Sequence, residues 1–230
     1  MKKVGFLIFG ATLVIGLVVA NIFSFGNVGS LVKFSFGGVQ GSGNVIREKR
    51  ELKGFERVEV GGGFQVDIVA GNEFGVEVEA DDNLMTLVTT EVSGNTLEIG
   101  RQKGYSARNP IRIRISAPDI SSIETSGGAG VTIIGVNNSD LSISSSGGSK
   151  VTASGRSAKL NVEMSGGAGI MANELATVDA NIEGSGGSSV DVLVSGVLRS
   201  DISGGARVTY SGAPASIATS KSGGARVVQK

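Results

Sequence analysis

The groups that could do chemistry in this chain are carboxylates, amines, guanidiniums and hydroxyls, because its 230 residues include no His and no Cys. Ser-His-Asp and Cys-His nucleophilic catalysis are therefore excluded. So are zinc sites of the usual His/Cys kinds, a disulfide framework and lipid attachment at a cysteine. A repeat in the second half brings Asp179, Asp191 and Asp201 near Lys150, Arg207 and Arg226. Two carboxyls at a set separation, or a carboxylate beside Arg, could cleave a polysaccharide. Sugar-cleaving sites usually add aromatic platforms, whereas the repeats offer Tyr210 alone and no Trp occurs.

Asp81 and Asp82 suggest calcium, which takes oxygen ligands. Adjacent carboxylates point in alternate directions and have no third at ligand spacing, so they read as a cap for a short helical turn over 81–90 or as a solvated turn. Arg108, Arg112 and Arg114 read either as an anion site, for example for acidic polysaccharide, or as a charged outer face that discourages edge-to-edge pairing. Paired glycines can cradle phosphate, but that needs a helix after the loop, and here a β-run follows. A calcium-binding nonapeptide coil needs Asp where Thr132 and Met171 stand, and its period is half as long. No catalytic, cofactor-binding or metal residue is assigned.

Whatever site exists must be positioned by a repeat. Ser-Gly-Gly, then a small residue, any residue and Val or Ile, starts at Ser126, Ser146, Ser165, Ser185, Ser203 and Ser222, at spacings of 20, 19, 20, 18 and 19. A fixed period of that length means one small unit stacked on itself. Five residues before each Ser stand Ser121, Leu141, Leu160, Ala180, Leu198 and Ile217. Three before stand Ile123, Ile143, Val162, Ile182, Ser200 and Thr219; five after stand Val131, Val151, Ile170, Val190, Val208 and Val227. Stacked, these become columns inside a coil. The predicted fold is all-β, a β-solenoid or β-helix with rungs of about 19 residues and a strand-rich N-terminal cap.

Gly127, Gly128, Gly147, Gly148, Gly166, Gly167, Gly186, Gly187, Gly204, Gly205, Gly223 and Gly224 are the expected structural corners. Each pair must turn sharply and press on the next corner about 4.8 Å away, where only tiny side chains fit. The polar run Arg47-Glu48-Lys49-Arg50-Glu51 can cap one end. The last rung, at Val227, has no such run and is expected to fray or to pair with another chain.

Upstream, Val58/Val60, Phe64/Val66/Ile68, Val76/Val78, Leu97/Ile99 and Ile111/Ile113/Ile115 alternate with polar residues, the mark of half-buried strands. Turns fall at Gly61-Gly62-Gly63, Gly71-Asn72 and Ser93-Gly94-Asn95. Residues 44–230 therefore read as one domain, with a strand-rich part at 44–116 and the repeats at 117–230. Residues 26–43 read as a Gly-rich linker in which Val32, Phe34 and Phe36 suggest a docked strand or a membrane-interface contact. Residues 1–25 carry Lys2-Lys3 and an apolar run. They fit a signal peptide cleaved after Ala20 or an uncleaved membrane anchor, and either one exports the remainder of the chain. With 21 basic and 21 acidic residues the chain is neutral, so no nucleic-acid partner is expected.

The segments Gly41-Ser42-Gly43-Asn44-Val45, Phe55 to Val60, Gly62-Gly63-Phe64-Gln65-Val66 and Val76 to Leu84 resemble the head GIN domain family of auto-transporter adhesins. The Ser-Gly-Gly-Ala repeats are similar to that family too, so the resemblance spans about residues 41–230. It implies an exported bacterial β-helical domain of the cell envelope (periplasm, outer membrane or cell surface) and an adhesin-like role, and it brings no catalytic or ligand residues. The resulting expectation is an interaction module without catalysis, whose hydroxyl-rich faces meet a carbohydrate or a surface protein. It could form a homo-oligomer, or anchor to the inner membrane through residues 1–25. The alternatives are a structural or regulatory envelope protein working with a membrane partner and, further off, a polysaccharide-acting enzyme.

Overall fold

Alternating apolar and polar residues build strands throughout residues 38–230, the part of the chain that the computed structural model describes. Expectations for residues 1–25 and for 26–37, including the Val32–Phe36 strand, lie outside the described residues. β1 (Val39–Gln40) and β2 (Val45–Arg50) come first, then β3 (Arg57–Val60) and β4 (Gln65–Ala70). β5 (Gly75–Asp81) leads into a 3-10 turn at Met85–Leu87, followed by β6 (Val88–Ser93), β7 (Thr96–Arg101), β8 (Tyr105–Ser106) and β9 (Arg112–Ala117). The repeats supply β10 (Ser122–Thr125), β11 (Gly130–Ser145), β12 (Lys150–Met164), β13 (Gly169–Gly184) and β14 (Ser189–Val194). They end with β15 (Val197–Ile202), β16 (Arg207–Ser211), β17 (Ser216–Lys221) and β18 (Arg226–Gln229).

The repeats wind as a β-solenoid. Each rung has a first leg before the Ser-Gly-Gly corner and a second leg after it. First legs are β10, the C-terminal halves of β11, β12 and β13, then β15 and β17, each parallel to the next. Second legs are the N-terminal halves of β11, β12 and β13, then β14, β16 and β18, again parallel. β11, β12 and β13 run unbroken through the far corner, where the register shifts at Ile133/Val136, Thr152/Ser154 and Ala172/Ala176. These bulges absorb extra residues. They explain how rungs of unequal length still align Val131 with Val151 and Leu141 with Leu160.

The inward columns form the core. Leu141, Leu160, Ala180 and Leu198 have no exposed surface, and Val131, Val151, Ile170, Val190 and Val208 are buried with them. Hydroxyls enter at the corner: Thr125 Oγ1 lies 3.0 Å from Ser145 Oγ and 3.1 Å from Ser149 Oγ, and Ser149 Oγ donates to the Ser146 carbonyl at 2.7 Å. That closed network is what permits three hydroxyls in a dry interior.

The non-repeating half holds more than a cap. β3 lies parallel between β7 and β10, and β4 lies parallel between β9 and β11. Two further rungs are thus present, in an order the chain does not follow, since β7 and β9 lie below the earlier β3 and β4. The cap itself is antiparallel: β2 on β5, β5 on β9, and β6 on β7. Leu84, Met85 and Val88 are buried at this end. The 3-10 turn there has Leu84 at its N-cap and no side-chain cap, so neither Asp81 nor Asp82 does the capping that the sequence suggested. The end of the Gly-rich stretch is docked, with β1 parallel to β8 and the Gly41 N–H donating to the Ser106 carbonyl at 2.8 Å.

Candidate functional site

Strand alternation sends every second residue of the first legs outward, and parallel register stacks equivalent residues about 4.8 Å apart. The residue two before each Ser-Gly-Gly is Glu124, Ser144, Glu163, Glu183, Asp201 and Ser220, and register pairs each with the next. The column continues through Glu59 and Glu98 on the two extra rungs. Six carboxylates thus share one line, all exposed, and none of the six is in an ion pair among the described residues. Like charges at this spacing repel by about 1 kcal/mol per neighbouring pair in water-like dielectric, before screening by salt. Beside it runs a second column, Arg57, Ser122, Ser142, Asn161, Asn181 and Arg199. Asn181 Nδ2 donates to Asn161 Oδ1 at 3.0 Å, so the amides are held in a ladder. A shallow recess of about 830 Å³ lies over these columns, lined by Asn161, Glu163, Asn181, Glu183, Arg199 and Asp201 among others. The face offers acceptors, amides and hydroxyls at a fixed repeat.

The candidate carboxylates of the sequence reading are not gathered. Asp201 belongs to a first leg and pairs with Glu183; Asp191 belongs to a second leg and pairs with Thr209. Asp179 Oδ1 accepts from the Val197 N–H at 2.8 Å, a structural bond between rungs. Arg207 pairs with Ser189 and Arg226, and Lys150 with Gly130 and Gly169. Asp191 and Arg207 are therefore diagonal neighbours on one face without an ion pair, and Asp201 is on the other leg.

The arginines and the Asp81-Asp82 pair are occupied near the cap. Arg114 donates to Glu77 Oε1 at 2.8 Å and to Glu79 Oε2 at 3.2 Å, and Arg47 Nε donates to Glu79 Oε2 at 2.7 Å. The Arg47 hydrogen bond holds the Glu79 carboxyl below its ordinary range, against desolvation and with help from Arg114, and Glu77 and then Glu79 push Arg114 up. β9 lies between β4 and β5, so Arg112 and Arg114 guard no edge; the edge strand there is β2. Arg108 is exposed in the loop before β9. Asp82 faces out and accepts from Ser42 Oγ at 2.5 Å and Asn44 Nδ2 at 2.9 Å, which holds its carboxyl below the usual range. Asp81 faces in and is buried, with the Gly43 N–H 3.2 Å from Oδ2. Among the described residues no three His, Cys, Asp or Glu side chains are grouped to hold a metal ion.

The two glycines of each corner differ. Gly127, Gly147, Gly166, Gly186, Gly204 and Gly223 have φ from +68° to +75°. Each second glycine instead donates its N–H to the first glycine's carbonyl one rung below, at 2.7 Å from Gly148 to Gly127 through Gly224 to Gly204. The ladder extends to Gly128 and Gly62 at 2.9 Å, so the Gly61-Gly62-Gly63 turn is a seventh corner in the column. Sequence reasoning missed that corner, which lacks the Ser, and missed the carboxylate column, whose signal was the residue two before each Ser.

The sequence pattern of the family described as "Putative auto-transporter adhesin, head GIN domain" matches residues 54–214. Among solved structures, a "putative adhesin" from Bacteroides fragilis superposes with a TM-score of 0.70 at 19% identity, covering 84% of this chain and 100% of that one. A "putative adhesin" from Parabacteroides distasonis gives 0.60 at 17% identity, with 84% and 100% covered. A "putative lipid binding protein" from the same species gives 0.54 at 17%, with the same coverage. At these identities the likeness is one of fold alone. No curated protein matches the chain.

Proposed function

Because the chain belongs to the head GIN domain family of auto-transporter adhesins, we propose that it is an exported, non-catalytic interaction module of the cell envelope that meets a saccharide polymer through the outer face of its first legs. One observation carries the reading: six unpaired carboxylates and an amide–hydroxyl ladder run side by side in unbroken register. Sugar hydroxyls are donors, and carboxylate and amide oxygens are their natural acceptors. A periodic polymer can use several rungs at once, and weak contacts then sum to useful avidity. The family's adhesin description and the apolar segment after Lys2-Lys3 support an envelope location. The scattered positions of Asp179, Asp191 and Asp201 favour binding over cleavage.

The test is a glycan array and isolated envelope polysaccharide, probed with the wild type and with Glu163→Gln/Glu183→Gln/Asp201→Asn. The expected result is binding by the wild type and at least tenfold weaker binding by the triple variant, with unfolding unchanged. Binding that the triple variant retains in full would move the site elsewhere. Release of saccharide during incubation would replace the reading with an enzymatic one.

A further inference from the structure

The two ends of the solenoid are not alike. At the N-terminal end, antiparallel β2, β5 and β6 close the sheets over buried Leu84 and Met85. At the other end β17 and β18 have no strand beyond them among the described residues. The inward column shows the consequence: Leu141, Leu160, Ala180 and Leu198 are fully buried, whereas Ile217, next in line, is 45% exposed. A cross-section of the core faces out.

Backbone groups are left over as well. The Ser216 N–H donates to the Gly196 carbonyl and the Ser222 N–H to the Ile202 carbonyl, both toward the rung below. Strand groups alternate sides, so the N–H groups of Ile217, Thr219 and Lys221 point away from it. On β18 the N–H groups of Arg226 and Lys230 donate down to Ala206 and Tyr210, which leaves those of Val227 and Gln229 pointing away. Two parallel legs thus present open edges around an apolar centre. Hydrocarbon cannot satisfy such groups, which excludes a lipid surface as their cover. The cover must bring two strands at this inter-leg separation with aliphatic side chains between them.

We propose that a second copy of this chain supplies it, joined end to end about a two-fold axis normal to the legs. That rotation sets β17 antiparallel to its own counterpart and β18 antiparallel to its own, with both separations matched by identity. An isologous contact closes at two copies, and the capped N-terminal end stops further growth. The basic groups of this end, Lys221, Arg226 and Lys230, carry the same sign on both copies, so salt should tighten the dimer by screening.

The test is sedimentation equilibrium of the full chain in a density-matched mild detergent at about 100 µM protein. The expected mass is twice 23.3 kDa, with dissociation at least fivefold weaker at high than at low salt. Thr219→Pro removes an outward N–H and leaves the ladder to β15 intact, a position where an edge strand tolerates proline. Thr219→Lys sets a charge on the open core and serves if the proline variant fails to fold. Either variant, folded by circular dichroism, should be monomeric. A monomeric wild type, a dimer kept by folded variants, or a dimer weakened by salt would overturn the proposal. None of these outcomes depends on saccharide binding.

Discussion

Gly147 and Gly148 form one corner yet face different constraints, and substituting alanine at each measures what the stacked corner demands. At Gly147 φ is +71°, and a Cβ there would stand 2.7 Å from the Gly127 carbonyl oxygen and 3.2 Å from the Gly127 nitrogen, both backbone atoms of the rung below. The left-handed conformation costs an alanine about 1–2 kcal/mol. Relieving the clash means lifting one rung against its neighbour, an overpacking cost of about 1–3 kcal/mol. Stiffening of the unfolded chain returns about 0.4–1 kcal/mol. Gly147→Ala is therefore expected to destabilise by about 2–4 kcal/mol. At Gly148 φ is not in the left-handed region, and a Cβ meets only the Gly127 oxygen at 3.7 Å, ordinary contact. Gly148→Ala is expected to change stability by less than about 1 kcal/mol, with the entropic gain tending to stabilise. Urea unfolding of both variants, followed by far-ultraviolet circular dichroism, measures the difference. Equal costs within about 0.5 kcal/mol, or a larger cost at Gly148, would refute the claim that the stacked carbonyl and positive φ set the requirement.

Ser200 replaces an aliphatic residue in the column above Ile182, and its buried Oγ has no partner. Ser200→Val should raise the unfolding free energy by about 1 kcal/mol in the same titration; a loss would mean the hydroxyl is paired. Ser145→Ala opens the Thr125–Ser145–Ser149 network and should cost about 1 kcal/mol, whereas Ser144→Ala on the outer face should cost nothing measurable. Glu79 and Asp82 both have carboxyls held below their unfolded values, by Arg47 first and by Ser42 first respectively. Each contributes stability that is full above the unfolded value and is lost as pH falls through the folded one. Stability should hold from pH 7 to about 5 and decline below about 4, and Glu79→Gln/Asp82→Asn should flatten that decline. An unchanged acid profile in the double variant would count against both bonds.

The repeat was legible because stacking leaves a linear trace. Val131, Val151 and Ile170 recur in step because each occupies the same place in its rung, and Ser-Gly-Gly recurs because each corner presses on the one below. The carboxylate column within the repeats was equally present in the alignment. It went unread because exposed positions show no alternation between burial and solvent to draw attention to them. Glu59 and Glu98 could not be read that way, since their rungs stack out of chain order.

The amino-acid sequence alone determined the all-β solenoid, its rung length, its apolar columns and the absence of His- or Cys-based chemistry, because local alternation and a fixed period are properties of the chain itself. Tertiary structure alone decided that β7 and β9 lie beneath β3 and β4, that Arg114 is spent on Glu77 and Glu79, and that Asp191 and Asp201 face apart. Those facts depend on which strand edges meet, and edge pairing is settled by backbone hydrogen bonds that every residue type except proline can make, so the side chains leave no mark of it in the order of the letters.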